Sequence, residues 1–131
     1  MDVSWHTASV KPDYDLLAPD GSQIRLLVQV ASGSLVHCTL PPGGVTQAVQ
    51  HRSVEEVWFC VAGQGQLWRR TPTAEAVTDL QPGVAVTIPV GTDFQFRTVG
   101  AEPLQVVITT MPPWPGADEA FAVDGCWTPN V

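Results

Sequence analysis

Proline and glycine interrupt this chain so often that no long regular element fits between them. Its 131 residues include 12 Pro and 11 Gly, which separate short runs rich in Val, Ile, Leu, Thr and Trp. Each glycine permits a turn conformation and each proline removes a ladder donor, so this spacing marks the ends of many short strands. Strands are expected at QIRLLVQV (23–30), SLVHCTL (34–40), TQAVQ (46–50), EVWFCV (56–61), QLWRR (66–70), AVTDL (76–80), VAVTI (84–88), DFQFRTV (93–99) and LQVVITT (104–110). No segment sustains a helical apolar period, and the one candidate, ADEAFA (117–122), is too short to hold a helix by itself. The fold class that follows is all-β, a sandwich or a barrel. Residues 111–131 are too rich in proline for a ladder, yet they carry Trp114, Phe121 and Trp127. This tail is expected to fold back over the barrel.

The length suits one domain spanning 1–131 with its core at about 23–110. The N-terminal stretch MDVSWHTASVKPDYD lacks a basic region followed by an apolar run, and no apolar run is long enough to span a bilayer. Neither secretion nor a membrane partner is expected. Cys38, Cys60 and Cys126 are an odd number without CxxC spacing, which fits a reducing cytoplasm better than a disulfide framework or a zinc knuckle. A net charge of −7, with no basic cluster beyond Arg69-Arg70, would repel a phosphate backbone, so nucleic acid is not an expected partner.

Two stretches carry a resemblance. PPGGVTQAVQHRSVEEVWFCVAGQG and LQPGVAVTIPVGTDFQFRTVG resemble the two motifs of the cupin superfamily, with Glu56 and Gly63 at the spacing of the first and Gly83, Pro89 and Gly91 matching the second. The resemblance covers roughly residues 34–110 and implies a cupin-type antiparallel β-barrel or jelly-roll sandwich. It also implies where a metal would sit. His51 takes the second histidine position of the first motif, Val49 takes the first, Phe94 stands where the third histidine belongs, and Thr98 replaces the asparagine. A divalent transition metal needs three or four N, O or S donors, which Val and Phe do not supply. The family site cannot form unchanged. A rearranged site would use His51 and Glu56 with either His37 or Gln47; Gln47 shares a strand face with Val49 and His51 if the period of two holds, and alternation sends one of His37 and Cys38 inward.

The reading favoured by the residues is a proton-handling pair. In a pocket walled by Val49, Trp58, Cys60, Phe94 and Phe96, with Gln47 nearby, the carboxyl of Glu56 loses solvation and a neighbouring His51 draws its pKa back, so the couple titrates near neutrality. This suits a metal-independent or metal-poor isomerase, lyase or cyclase acting on a small molecule, with His51 and Glu56 as catalytic groups. No cofactor is favoured, a divalent metal being the alternative. A third reading is a binding module whose pocket has lost its chemistry. Among the arginines, Arg97 is expected to face away from the pocket, and Cys60 is expected to be a small buried hydrophobe rather than a nucleophile. The strand EVWFCV is apolar on both faces after Glu56, which implies burial on both sides and, for so small a chain, a homodimer.

Overall fold

A computed structural model describes residues 5–131, so residues 1–4 of the expected domain lie outside it. The strands are β1 (Leu16–Leu17), β2 (Gln23–Val30), β3 (Gly33–Leu40), β4 (Val49–His51), β5 (Glu55–Ala62), β6 (Gln64–Thr71), β7 (Ala74–Leu80), β8 (Ala85–Ile88), β9 (Asp93–Val99), β10 (Leu104–Met111) and β11 (Ala120–Ala122), with one 3₁₀ turn at Ala117–Glu119. They form a six-stranded sheet in the order β1-β2-β3-β10-β5-β8 and a five-stranded sheet in the order β11-β4-β9-β6-β7, with antiparallel pairing throughout. The two sheets face each other as a jelly-roll sandwich and do not close into a barrel. Glycine is required where the hairpin between β5 and β6 turns: Gly63 has φ 76°, and a Cβ there would run into the carbonyl of Pro103.

Two expectations change locally. Pairing in the region 46–50 begins only at Val49; Thr46 and Gln47 lie in a loop whose N–H groups donate to the carbonyls of Phe96 and Asp20. The tail does contribute a ladder, because its proline-free stretch Ala120–Ala122 pairs with β4, so the helical candidate at 117–122 resolves into one 3₁₀ turn and a strand.

Strand alternation divides each sheet into a face toward the core and a face away from it. On β5, Glu56, Trp58 and Cys60 point inward and are buried, as are Phe94 and Phe96 on β9 and Val106 and Ile108 on β10. The outer faces are covered unevenly. Over β2 and β3 the preceding segment is tied down by Arg25, whose Nε and Nη2 donate to the carbonyls of Lys11 and Pro12 at 2.6 and 2.7 Å. Over the five-stranded sheet the tail is held by Gln95. Its Nε2 donates to the carbonyls of Thr46 and Trp127, both at 2.8 Å, and its Oε1 accepts from the backbone N–H of Cys126 and of Trp127 at 2.8 and 2.9 Å. Arg97, facing outward as expected, lies 4.3 Å over the ring of Trp127.

The outer face of β5 has no such cover: Val57, Phe59 and Val61 are 44, 48 and 41% exposed. The single chain thus leaves this face open, and the expected burial on both sides would need a second copy. No segment among the described residues reaches that face, since the tail is committed to the other sheet.

Two outcomes follow. Replacing Gln95 with Leu removes the four hydrogen bonds that join the tail to β9 and the Thr46 loop, each worth about 0.5–1.5 kcal/mol net, so the melting temperature should drop by roughly 5 °C or more; an unchanged melting curve would show that Gln95 does not anchor the tail. We propose that a second copy covers the β5 stripe, because an uncharged apolar patch is self-complementary across a two-fold axis. Light scattering should then give a dimer for the parent and a monomer for Phe59→Asp; a monomer for both would overturn the proposal.

Candidate functional site

Between the sheets, at the end where β4, β5 and β10 meet the loop before β2, lies a cavity of about 110 Å³. Its walls are mainly apolar, and its polar lining comes from Asp20, Ser22, His51, Glu56 and Thr110. Leu16, Leu26 and Trp114 also line it while being 43, 53 and 36% exposed, so they form its mouth. Trp58 closes the opposite end. Its ring stands edge-on to Phe94 at 5.7 Å and to Phe96 at 5.0 Å, filling the space between the sheets.

Of the residues singled out from the sequence, His51, Glu56, Val49, Trp58 and Phe94 line this cavity. Cys60 and Phe96 do not; they are buried on the core side of Trp58, because inward positions on a strand follow one another by two residues and the indole ends the cavity there. Gln47 does not either. Alternation does not extend to it, since β4 starts at Val49, and its exposed side chain instead donates from Nε2 to the carbonyl of Val131 at 2.9 Å. His37 is the outward member of its pair: it sits in register with Arg25 and Val107 and its Nε2 is 3.0 Å from Oε1 of Gln105, whereas Cys38 enters the core. The rearranged donor set with His37 or Gln47 therefore does not assemble.

Glu56 is gripped by two donors. Trp58 Nε1 donates to its Oε1 at 3.0 Å, and the Thr110 hydroxyl donates to its Oε2 at 2.6 Å. Burial nevertheless pushes its pKa up to about 7; these two bonds lower it, while the charges of Asp20 and Glu119 raise it. His51 behaves oppositely. Its ring lies edge-on to Phe94 at 5.1 Å and to Trp114 at 5.2 Å, its Nδ1 is buried without a hydrogen-bond partner, and burial lowers its pKa to about 4 against a weaker upward pull from Glu119. The expected His–Glu couple is thus corrected: the partners of Glu56 are Trp58 and Thr110, and the two groups titrate apart. At neutral pH the imidazole is uncharged and the carboxyl is poised between its two forms.

Sequence reasoning missed Asp20, Ser22 and Thr110. Thr110 was legible, since it shares a strand face with Val106 and Ile108 by the period of two. Asp20 was not. Its Oδ1 accepts from the N–H of Ser22 at 2.9 Å and from the Ser22 hydroxyl at 2.6 Å, a local Asp turn that a sequence can suggest, but the direction of that turn is set by packing. Glu119 supports the site from outside, accepting from the backbone N–H of Ser53 and of Val54 and so bracing the turn that follows His51.

The metal that the motif resemblance implies finds no donor set here. Val49 and Phe94 are directly paired across β4 and β9 and fill two ligand positions with hydrocarbon, which leaves donors at only two of the four motif positions, His51 and Glu56. Among the described residues no three His, Cys, Asp or Glu side chains cluster as metal ligands would.

The sequence profile of the family described as Cupin domain matches residues 36–110. A relative, an uncharacterized protein of Methanocaldococcus jannaschii, is 27% identical over 118 residues, covering 83% of this chain and 91% of that protein. Among solved structures, oxalate decarboxylase from Bacillus subtilis superposes with a TM-score of 0.75 at 14% identity, over 94% of this chain and 33% of that one. The chain thus spans about a third of that enzyme. KdgF from a Halomonas species superposes with a TM-score of 0.60 at 19% identity, over 81% of this chain and 86% of that one. Identities this low carry the fold and not the chemistry.

The opposed pKa shifts make a signed prediction. Glu56 holds its proton more tightly folded than unfolded, so between pH 4.5 and about 7 its contribution to stability falls as pH rises. His51 holds its proton less tightly folded, so between about 4 and 6.5 its contribution rises with pH. The two slopes offset each other where the windows overlap. Glu56→Gln should expose the rising slope and His51→Phe the falling one, measured by chemical denaturation across that range. Parallel pH profiles for the parent and both variants would show that neither group is shifted.

Proposed function

The chain belongs to the Cupin domain family, and on that premise we propose that it is a metal-independent enzyme of the isomerase or lyase type, moving protons on a small carbonyl compound. The observation that carries the reading is a buried Glu56 poised near neutrality in the same cavity as a neutral His51 with an unpartnered ring nitrogen. Acid–base catalysis works best when the group's pKa lies near the working pH, and it needs both a proton donor and a proton acceptor at the substrate.

The two side chains divide these roles. His51, uncharged, accepts the proton from a carbon next to a carbonyl. Glu56 in its protonated form donates to the carbonyl oxygen as charge develops there, and the reverse transfers return a proton to carbon in the product. Trp58 and Thr110 hold the carboxyl in one orientation, so no reorganisation is needed at the moment of transfer. The apolar walls exclude water that would compete for the proton. A reducing compartment suits the three free thiols, Cys38, Cys60 and Cys126.

The test is proton exchange at carbon, followed by NMR in D₂O over a panel of small cyclic hydroxyketones and diketones. Glu56→Gln and His51→Ala should each slow exchange by about 10²–10⁴-fold, and chelator should leave the parent rate unchanged. The rate should fall above about pH 7 as Glu56 ionises and below about pH 4 as His51 gains a proton. Full rates in both variants would reduce the cavity to a binding site. A rate lost to chelator and restored by a divalent ion would overturn the metal-free reading.

A further inference from the structure

The hydrogen-bonding capacity left over inside the cavity leans toward acceptors and toward negative charge. Apart from the His51 ring, three neutral donors line it, and each is already spent on a carboxyl: the Ser22 hydroxyl on Asp20, and the Trp58 N–H and the Thr110 hydroxyl on Glu56. Both bonds from Ser22 go to Oδ1 of Asp20, a residue of the cavity lining, and Oδ2 has no hydrogen-bond partner among the described residues; Asp20 is 7% exposed. His51, 5% exposed, has no partner at Nδ1, and its uncharged ring adds one acceptor nitrogen and one N–H. Among the described residues no lysine or arginine lines the cavity to offset a negative charge. Three aromatic rings, those of Trp58, Phe94 and Trp114, complete the wall.

From this we infer that the cavity selects a small, largely apolar ligand that brings its own hydrogen-bond donor to Asp20, with a primary ammonium held most tightly, a hydroxyl less so, and a carboxylate excluded. A buried acceptor that meets no donor loses its solvation without return, so a ligand lacking one is rejected. An anion adds like-charge repulsion with Asp20 and with ionised Glu56. A cation gains the carboxylates and the faces of the aromatic rings together. Asp20 is thereby a specificity-determining residue, distinct from the proton-transferring pair. The inference rests on the proposed reading only in taking this cavity as the small-molecule site. It makes the expected substrate an amino- or hydroxy-substituted carbonyl compound rather than a carboxylic acid.

The experiment is calorimetric titration of the intact protein at pH 7.5 with three probes of one shape: cyclopentylamine, cyclopentanol and cyclopentanecarboxylate. The amine should bind at least tenfold more tightly than the carboxylate, with the alcohol between them. Asp20→Asn should cost the amine tenfold or more and shift the alcohol little. Glu56→Gln, which should stop proton exchange, should keep the order of the three probes, so donor selection and catalysis fail separately. Should Asp20→Asn not fold, the order on the parent protein decides alone. A carboxylate that binds as tightly as the amine, an amine indifferent to Asp20→Asn, or no binding by any probe would overturn the inference.

Discussion

Trp58 stands where the core of this sandwich ends and its cavity begins. Wedged edge-on between Phe94 and Phe96, it spans the gap between the two sheets, and from that position its N–H reaches Glu56 two residues earlier on the same strand face. One ring therefore sets the depth of the cavity and holds half of a buried carboxyl. An indole that must satisfy its N–H when buried is suited to a boundary of this kind, with an apolar body toward the core and a polar tip toward the site. Everything beyond Trp58 on that face, Cys60 and Phe96 included, is packing.

The electrostatics of the cavity follow from what surrounds it. Carboxyls from two different elements enter a space that no lysine or arginine of the described residues lines, so burial raises the pKa of Asp20 and of Glu56, and the charge of Asp20 raises that of Glu56 further. The same lack of solvent lowers the pKa of His51. One cause, desolvation, thus moves acids and base in opposite directions, and near pH 7 it leaves His51 uncharged beside a Glu56 poised between its two forms. Where the family motif would gather histidines about an ion, hydrocarbon from Val49 and Phe94 produces this dry environment instead.

A short chain that forms two sheets has four faces to deal with. The inner pair bury each other. The segment around Lys11 and Pro12 lies over part of one outer face, and the tail, clamped by Gln95 and Trp127, lies over the other. The tail does more than cover: Trp114 reaches the cavity mouth, and Glu119 braces the turn beside His51. Stability and site are coupled there, so changes in the tail should be felt in the cavity.

Strand positions were legible because pleating imposes a period of two and because Gly and Pro mark the turns. Those local rules sufficed to put Glu56, Trp58, Phe94 and Phe96 on inward faces and Arg97 on an outward one. They failed where the chain leaves the ladder. Gln47 lies outside β4, so its phase could not be extrapolated, and Asp20 sits in a turn whose orientation depends on what it packs against. Nor could alternation say that Cys60 and Phe96 fall behind Trp58, since a shared face is not a shared depth. The sequence by itself determined the class of fold, which residues of a strand share a face and, through the motif, the loss of two metal-ligand positions. Only the tertiary structure decided which of those residues meet in a cavity, that Glu56 bonds to Trp58 and Thr110 rather than to His51, and that Asp20 joins them. Facing direction is set by bonds between neighbours along the chain, whereas depth, partners and desolvation arise when distant segments pack together.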